Sequence, residues 1–335
     1  MGKSSPWLPG RIWRMTQPLA PAVLPEIPWG STARRLEWEL LPPMTRRMVE
    51  GHLGSPVVAA ESAGGGFTPG MASVLTGRDG QRMFVKAAST KAQRPFADAY
   101  REEIRKLREL PADLPAPRLL WSHEDDLWVV LGLEYVAGEH PARPWRADEL
   151  GTCLDTLELL ADRLTPAPAA MRLAPFSDRD QFGGMVSGWE HVERTMPDWP
   201  HREEAAALAH RVGELVGDAL VHTDVRDDNL LLPGDGAAVL CDWNWPVTGP
   251  AWIDTVLLLL GPAGDGLDVE HVLATRRLTR DVDPDLVDVL LALVCGYFLE
   301  VRTHPVPHSS PYVRMHQDWH AHASWSWLAA RRGWS

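Results

Sequence analysis

From residue 55 to residue 135 the apolar positions fall in short runs divided by turn residues. Ser55 to Ser62 and Met71 to Thr76 are two such runs, and Arg82 to Ala88 follows across Arg78-Asp79-Gly80-Gln81, a turn with Asp-Gly at its centre. Further strands are expected around Arg118–His123 and Leu127–Tyr135, split by the acidic turn Glu124-Asp125-Asp126. Two helices interrupt this pattern. Pro42-Pro43 opens a short one through about Leu53, and Ile104 and Leu107 at helical spacing mark an amphipathic one from about Pro95 to Leu110, closed by Pro111. The prediction is a small antiparallel sheet with one helix packed on it.

Beyond Val136-Ala137-Gly138 the period changes. Helical recurrence governs 148–164, 202–218, 252–260, 267–278, 285–302 and 312–331, with a short β segment, Asn229–Leu232 and Ala238–Cys241, set among them. Residues 1–33 are dense in Pro and Trp, too proline-rich for helix interior or central strand, and are expected to form a loosely ordered extension. The expected division is therefore an extension over 1–33, a sheet-based unit over 34–136 and a mainly helical unit over 137–335.

Composition narrows the classes. The 335 residues include 45% hydrophobic side chains, enough for a sizeable core, and this excludes a disordered chain or a fibre. Cys153, Cys241 and Cys295 are scattered with no CxxC pair, which argues against a zinc ribbon or disulfide framework and for a reducing, cytoplasmic setting. The apolar run Val289 to Leu299 is too short to span a bilayer. Proline breaks the one apolar stretch near the N-terminus, and Pro6 stands where a myristoylation signal needs Ser or Thr, so neither secretion nor a membrane is expected. The net charge of −12 argues against nucleic acid, which requires a basic footprint. It is uneven: 17 basic and 15 acidic residues up to 136, 16 and 30 beyond. An acidic second half is compatible with a cationic ligand as well as with simple solubility.

The chemistry concentrates in Leu220-Val221-His222-Thr223-Asp224-Val225-Arg226-Asp227-Asp228-Asn229, which has the form H-x-D-x-x-x-x-N and runs into an apolar strand. That is the spacing of a kinase catalytic loop. Asp224 is positioned to orient an attacking hydroxyl and accept its proton. Asn229 and Asp242, the latter at the end of the apolar segment Ala237 to Cys241, supply hard oxygen donors suited to Mg²⁺. Arg226 offers positive charge to a transferring phosphoryl group. His222 is expected to shape the loop rather than react.

Upstream, Lys86 lies within the apolar strand Phe84-Val85-Lys86-Ala87-Ala88, where its charge requires a partner. Glu103 or its neighbour Glu102 is the candidate, and Glu103 is favoured because it precedes Ile104 on the buried side. Gly64 to Gly70 is a glycine-rich turn able to present backbone N–H groups to phosphates, although Pro69 stands where G-x-G-x-x-G ends. The histidines His304, His308, His316, His320 and His322 include an i, i+4 pair with Gln317 where a zinc helix has Glu, so packed or solvated histidines are expected there.

Together these residues resemble the aminoglycoside phosphotransferase family, within the wider protein-kinase-like superfamily, from about residue 34 to 330. The resemblance rests on Gly65-Gly66-Phe67-Thr68-Pro69-Gly70, Phe84-Val85-Lys86, Glu103-Ile104, Leu133-Glu134-Tyr135-Val136-Ala137-Gly138, the His222–Asn229 loop and Cys241-Asp242-Trp243. It implies an α+β, bilobal protein-kinase-like fold with ATP and Mg²⁺ between the lobes. It further implies Gly65, Gly66 and Phe67 over the phosphates and a hinge whose backbone at Glu134, Tyr135 and Val136 meets adenine. Gly249-Pro250-Ala251-Trp252-Ile253-Asp254 resembles the family's following segment, which makes Asp254 an anchor of the catalytic loop. The chain departs from the family pattern at Thr223, usually Gly, and at Arg226-Asp227-Asp228, usually His or Arg followed by Pro-Gly.

Asp254 follows Asp242 by only twelve positions, too few for the activation segment of a protein kinase. The expected acceptor is a small hydroxylated molecule, either an aminoglycoside-like or other antibiotic, or a choline-, sugar- or amino-alcohol-type metabolite. A nucleotide-binding pseudokinase is the alternative from another class.

Overall fold

The computed structural model describes residues 32–234 and 236–334. The extension expected over 1–33 lies outside the described residues except for its last two positions. The N-terminal lobe holds α1 (Pro43–Leu53), β1 (Val57–Ser62), β2 (Met71–Gly77), β3 (Arg82–Ser89), α2 (Arg94–Glu109), β4 (Leu119–Glu124) and β5 (Trp128–Glu134). The five strands form one sheet in the order β1-β2-β3-β5-β4, antiparallel throughout.

Strand alternation divides the side chains of this sheet between two cores. Met83, Val85 and Ala87 of β3 and Val130 of β5 face a cluster closed by Trp38, Val49 and Leu53 at α1. Ala88 of β3 and Val129, Leu131 and Leu133 of β5 point the other way, against Tyr100, Ile104 and Leu107 of α2. Lys86 has the parity of Ala88 and Phe84, so it emerges on the face that α2 covers. Of the buried positions of α2, Ala97, Tyr100, Glu103, Ile104 and Leu107 follow the three-and-four spacing of one helical stripe, with Lys106 beside it. Glu103 is therefore carried to the same face.

The second lobe is mainly helical: α3 (Ala147–Arg163), α4 (Ser187–Thr195), α5 (Arg202–Ala209), α6 (Ile253–Gly264), α7 (Val269–Thr275), α8 (Pro284–Val301) and α9 (Val313–Arg332). Helix α8 is buried nearly all round, which accounts for the apolar run Val289 to Leu299. Its buried Asp288 is met by Arg331 of α9 at 2.5 Å. Among the described residues no helix is long and apolar enough to cross a membrane.

Two short antiparallel pairs sit between these helices. β6 (Ala219–Val221) pairs with β9 (Val247–Gly249), and β7 (Leu230–Leu231) with β8 (Val239–Leu240). The structure corrects two expectations here. The helix expected over 202–218 ends at Ala209, continues as a 3-10 turn to Glu214 and then becomes extended. Gly213 and Gly217 weaken a helix there, and at Gly217 a side chain would meet the backbone of Gly249 within 2.5 Å. Helix α4 and the β6–β9 pair were not anticipated.

Candidate active site

The two short strand pairs hold the chemistry. β6 delivers the chain into His222, and β9 leads to Asp254 in the first turn of α6. Asp254 accepts the backbone N–H of His222 at 2.7 Å and of Thr223 at 2.8 Å, which pins the start of the His222–Asn229 loop. Burial pushes the Asp254 carboxyl up to about 7, against the pull of those two N–H groups. His222 is fully occupied by the backbone. Its Nε2 lies 3.0 Å from the Cys241 carbonyl, which can only accept, so Nε2 carries the hydrogen. Nδ1 then accepts the Asp224 N–H at 3.3 Å. Burial lowers this imidazole to about 4, so it is neutral at pH 7.

The β7–β8 pair places Asn229 and Asp242 side by side at its open end, where Cys241 N–H donates to the Asn229 carbonyl at 2.8 Å. Asn229 Nδ2 donates to the Asp224 carbonyl at 2.9 Å and to its Oδ2 at 3.0 Å, which turns the amide oxygen away from Asp224. Burial raises the Asp224 pKa, and Arg226 opposes the shift. Arg226 lies between two carboxylates, 3.1 Å from Asp224 Oδ1 and 2.9 Å from Asp228 Oδ1.

Across the cleft, Lys86 Nζ contacts both Glu103 oxygens, at 2.8 and 2.9 Å, and Asp242 Oδ1 at 2.7 Å. Glu102, the alternative partner, is instead bonded to Arg105 and lies near Lys106. Burial works against the Lys86 charge, but Asp242 and Glu103 outweigh it and raise its pKa. Burial pushes Glu103 the other way, up to about 7. An ammonium bonded to both oxygens of Glu103 and to Asp242 is the arrangement of an ionised pair, and that form agrees with the geometry. Asp242 is lowered, because Lys86 overcomes the effect of burial.

The glycine-rich turn folds down onto the catalytic loop. Gly66, at φ 74°, takes a conformation that strains any side chain, and its N–H donates to Asp228 Oδ2 at 3.1 Å. Gly65 leaves only 3.2 Å between a Cβ and that of Asp228. Arg35 braces the turn through the carbonyls of Ala63, Gly65 and Thr68, and Thr32 through that of Gly66. The Phe67 ring lies tilted against His316 of α9 with centroids 4.7 Å apart, and Ser310 donates to the Phe67 carbonyl at 2.5 Å.

A continuous cavity of about 770 Å³ joins these groups. It is lined by Gly65, Gly66, Phe67, Lys86, Glu134, Tyr135, Val136, Asp224, Arg226, Asn229 and Asp242. Glu103, His222 and Asp254 stand behind that lining. The Glu134 side chain is taken by Arg118 at 2.8 Å, and the Tyr135 hydroxyl accepts from Arg82 at 2.7 Å.

His316 and His320 are buried with their rings tilted against each other, centroids 4.1 Å apart, and burial lowers His320 to about 3. Among the described residues no group of three or more His, Cys, Asp or Glu is arranged to hold a metal. The sequence had no signal for the contacts of Arg35, Asp228 and Ser310 with the glycine-rich turn, which join residues 28 to 243 positions apart.

A five-stranded lobe, a helical lobe and a Lys–Glu pair facing an H-x-D-x-x-x-x-N loop define a protein-kinase-like fold. The model of the phosphotransferase enzyme family (APH) matches residues 61–284, and the chain belongs to that family. Solved structures agree on the fold. Choline kinase LicA from Streptococcus pneumoniae superposes with a TM-score of 0.56 at 13% identity, over 84% of this chain and 98% of that one. The GDP complex of an aminoglycoside 2'-phosphotransferase gives 0.57 at 15%, over 87% and 96%. The AMP-bound complex of spectinomycin phosphotransferase gives 0.57 at 11%, over 84% and 97%. A search of curated protein sequences finds no match.

Proposed function

We propose that this protein is an ATP- and Mg²⁺-dependent phosphotransferase that moves the γ-phosphoryl group to a hydroxyl of a small molecule. The observation that carries the reading is the convergence of Lys86, Asp224, Asn229 and Asp242 on one cavity. Asp224 accepts the proton of the acceptor hydroxyl, helped by the burial that raises its pKa. Lys86, held by Glu103, takes the nucleotide phosphates, and Gly65 to Phe67 lie over them. Arg226 stabilises charge on the group in transit. His222 and Asp254 fix the loop that carries the base, and the backbone from Glu134 to Val136 meets the adenine.

Mg²⁺ fits the donors present. Asn229 retains its amide oxygen, Asp242 retains Oδ2, and this ion commonly binds through one or two protein oxygens plus those of the nucleotide. Held by Asn229 and Asp242, the ion would offset the charge of the nucleotide phosphates. The division at about residue 137 separates a nucleotide-binding unit from one carrying the catalytic loop, metal donors and acceptor site. Three unpaired thiols, Cys153, Cys241 and Cys295, suit the reducing cytoplasm.

The test is transfer from γ-labelled ATP with Mg²⁺ to a panel of aminoglycosides, other antibiotics and hydroxylated metabolites. Transfer to one compound, reduced about 10²- to 10⁴-fold in Asp224→Ala, is the expected result. Failure to bind ATP would overturn the reading, and ATP binding without transfer to any acceptor would favour a pseudokinase.

A further inference from the structure

Most acidic residues of the second half, which suit a cationic acceptor on sequence grounds, lie outside the cavity lining, where Glu139, Asp224, Asp228 and Asp242 remain. Many of those outside it are spent in ion pairs between outer helices, such as Asp155 with Arg276, Asp162 with Arg277, and Asp285 with Arg332. The carboxylates at the catalytic end of the cavity are matched already. Asp224 and Asp228 share Arg226, and Asp242 holds Lys86 at 2.7 Å. The remaining acidic residue of the second lobe in the lining, Glu139, is exposed. His316, also in the lining, is held well below its ordinary pKa by burial.

The wall beyond Asp224 has a different composition. Phe182, Met185, Leu257, Tyr297 and Phe298 all line the cavity and are all partly open. Trp245 adds an indole that is 55% exposed, and its carbonyl accepts the Thr223 hydroxyl at 3.0 Å, which ties it to the catalytic loop. Tyr297 and Asp224 line the same cavity, so this wall belongs to the site of the base. Large apolar side chains left open beside a polar cluster are the composition of a site for an apolar ligand. A polyamine would need unmatched carboxylates in their place.

We propose that the acceptor is an uncharged alcohol on an apolar, partly aromatic body, seated against Phe182, Trp245, Tyr297 and Phe298 with its hydroxyl at Asp224. The proposal rests on the phosphotransferase reading in naming this ligand the acceptor. Phe182 stacks face to face on the fully buried Phe176 at 4.8 Å, so the platform is braced from behind. Few rotatable groups need ordering when such a ligand binds.

The full-length chain is titrated by calorimetry, with and without AMP-PNP and Mg²⁺, against ω-phenylalkanols from phenylethanol to phenylhexanol and against kanamycin. The dissociation constant is expected to fall about fourfold per methylene, the value for burying one CH₂. Kanamycin is expected to bind more weakly than phenylhexanol at every salt concentration. Phe182→Ala and Trp245→Ala should each weaken phenylhexanol about tenfold while AMP-PNP affinity holds, which shows that the fold is intact. A flat series, or salt-sensitive kanamycin binding stronger than that of the alcohols, would overturn the proposal. Chain-length-dependent binding without AMP-PNP binding would support the apolar site while sinking the kinase reading.

Discussion

Acidification should loosen the catalytic loop at His222 before the bulk of the protein responds. With Nε2–H donated to Cys241 and Nδ1 accepting from Asp224, the neutral ring satisfies two backbone groups. A proton on Nδ1 would set two donors against each other inside a buried site, edge-on to Trp243 at 4.7 Å. The ring titrates at about 4 in the folded chain against about 6.5 unfolded, a gap worth about 3 kcal/mol. Because the folded value is depressed, this contribution is complete above about pH 6.5 and is lost as pH falls toward 4. His316 and His320 are lowered too and act in the same direction, so a global unfolding curve alone does not isolate His222. Long-range ¹H–¹⁵N spectra of the imidazoles do, with His222→Gln assigning the signal. The expected spectrum shows the Nε2–H tautomer with no titration between pH 8 and about 5. A midpoint between 6 and 7, or an Nδ1–H tautomer, would refute the reasoning.

Glu103→Gln removes one of the two carboxylates on Lys86. Losing a partner of a buried pair costs about 3–5 kcal/mol, and the cost should fall below that range because Asp242 remains at 2.7 Å. Urea unfolding followed by tryptophan fluorescence checks it, with a parallel loss of ATP affinity expected. Asp228→Asn acts oppositely on the nucleotide. Its carboxylate takes the Gly66 N–H and Arg226, two donors suited to a phosphate, so neutralising it should tighten ATP about tenfold, and unchanged or weaker calorimetric binding would contradict the competition.

What was legible in the sequence was local. His222 to Asn229 is eight consecutive residues whose spacing carries its own meaning, and Lys86 stands out because an apolar strand has no ordinary use for an ammonium. The helical stripe marked by Ile104 and Leu107 was enough to favour Glu103 over Glu102. The contact of Asp228 with Gly66 crosses 162 positions and has no periodicity to announce it. Helix α4 was missed because Gly183, Gly184, Ser187 and Gly188 at its entrance read as a loop, although Gly188 is needed because a Cβ there would lie 2.3 Å from the Gly296 carbonyl oxygen. The apolar wall was illegible for another reason. Leu257 on α6 and Phe298 on α8 occupy the same repeating apolar pattern as their buried neighbours, and only packing shows which side chains are left open.

Two non-glycine residues of the site hold positive φ, Thr223 at 71° and Asp242 at 66°. Each costs about 1–2 kcal/mol relative to right-handed backbone, and a β-branched residue is especially ill suited to it. Both are held by more bonds than the conformation needs. Thr223 donates its N–H to Asp254 and its hydroxyl to Trp245, while Asp242 is gripped by Lys86 and by the Asn244 amide at 2.9 Å. Strain of this kind persists only where the surroundings over-determine it. Here it turns the chain immediately before Asp224 and at Asp242, so that the proposed base and the proposed metal donor face one cavity from two separate strand pairs. Chemistry that relies on positioned charge rather than on a covalent intermediate needs that fixity, because each group must stand in place before charge develops on the phosphoryl oxygens.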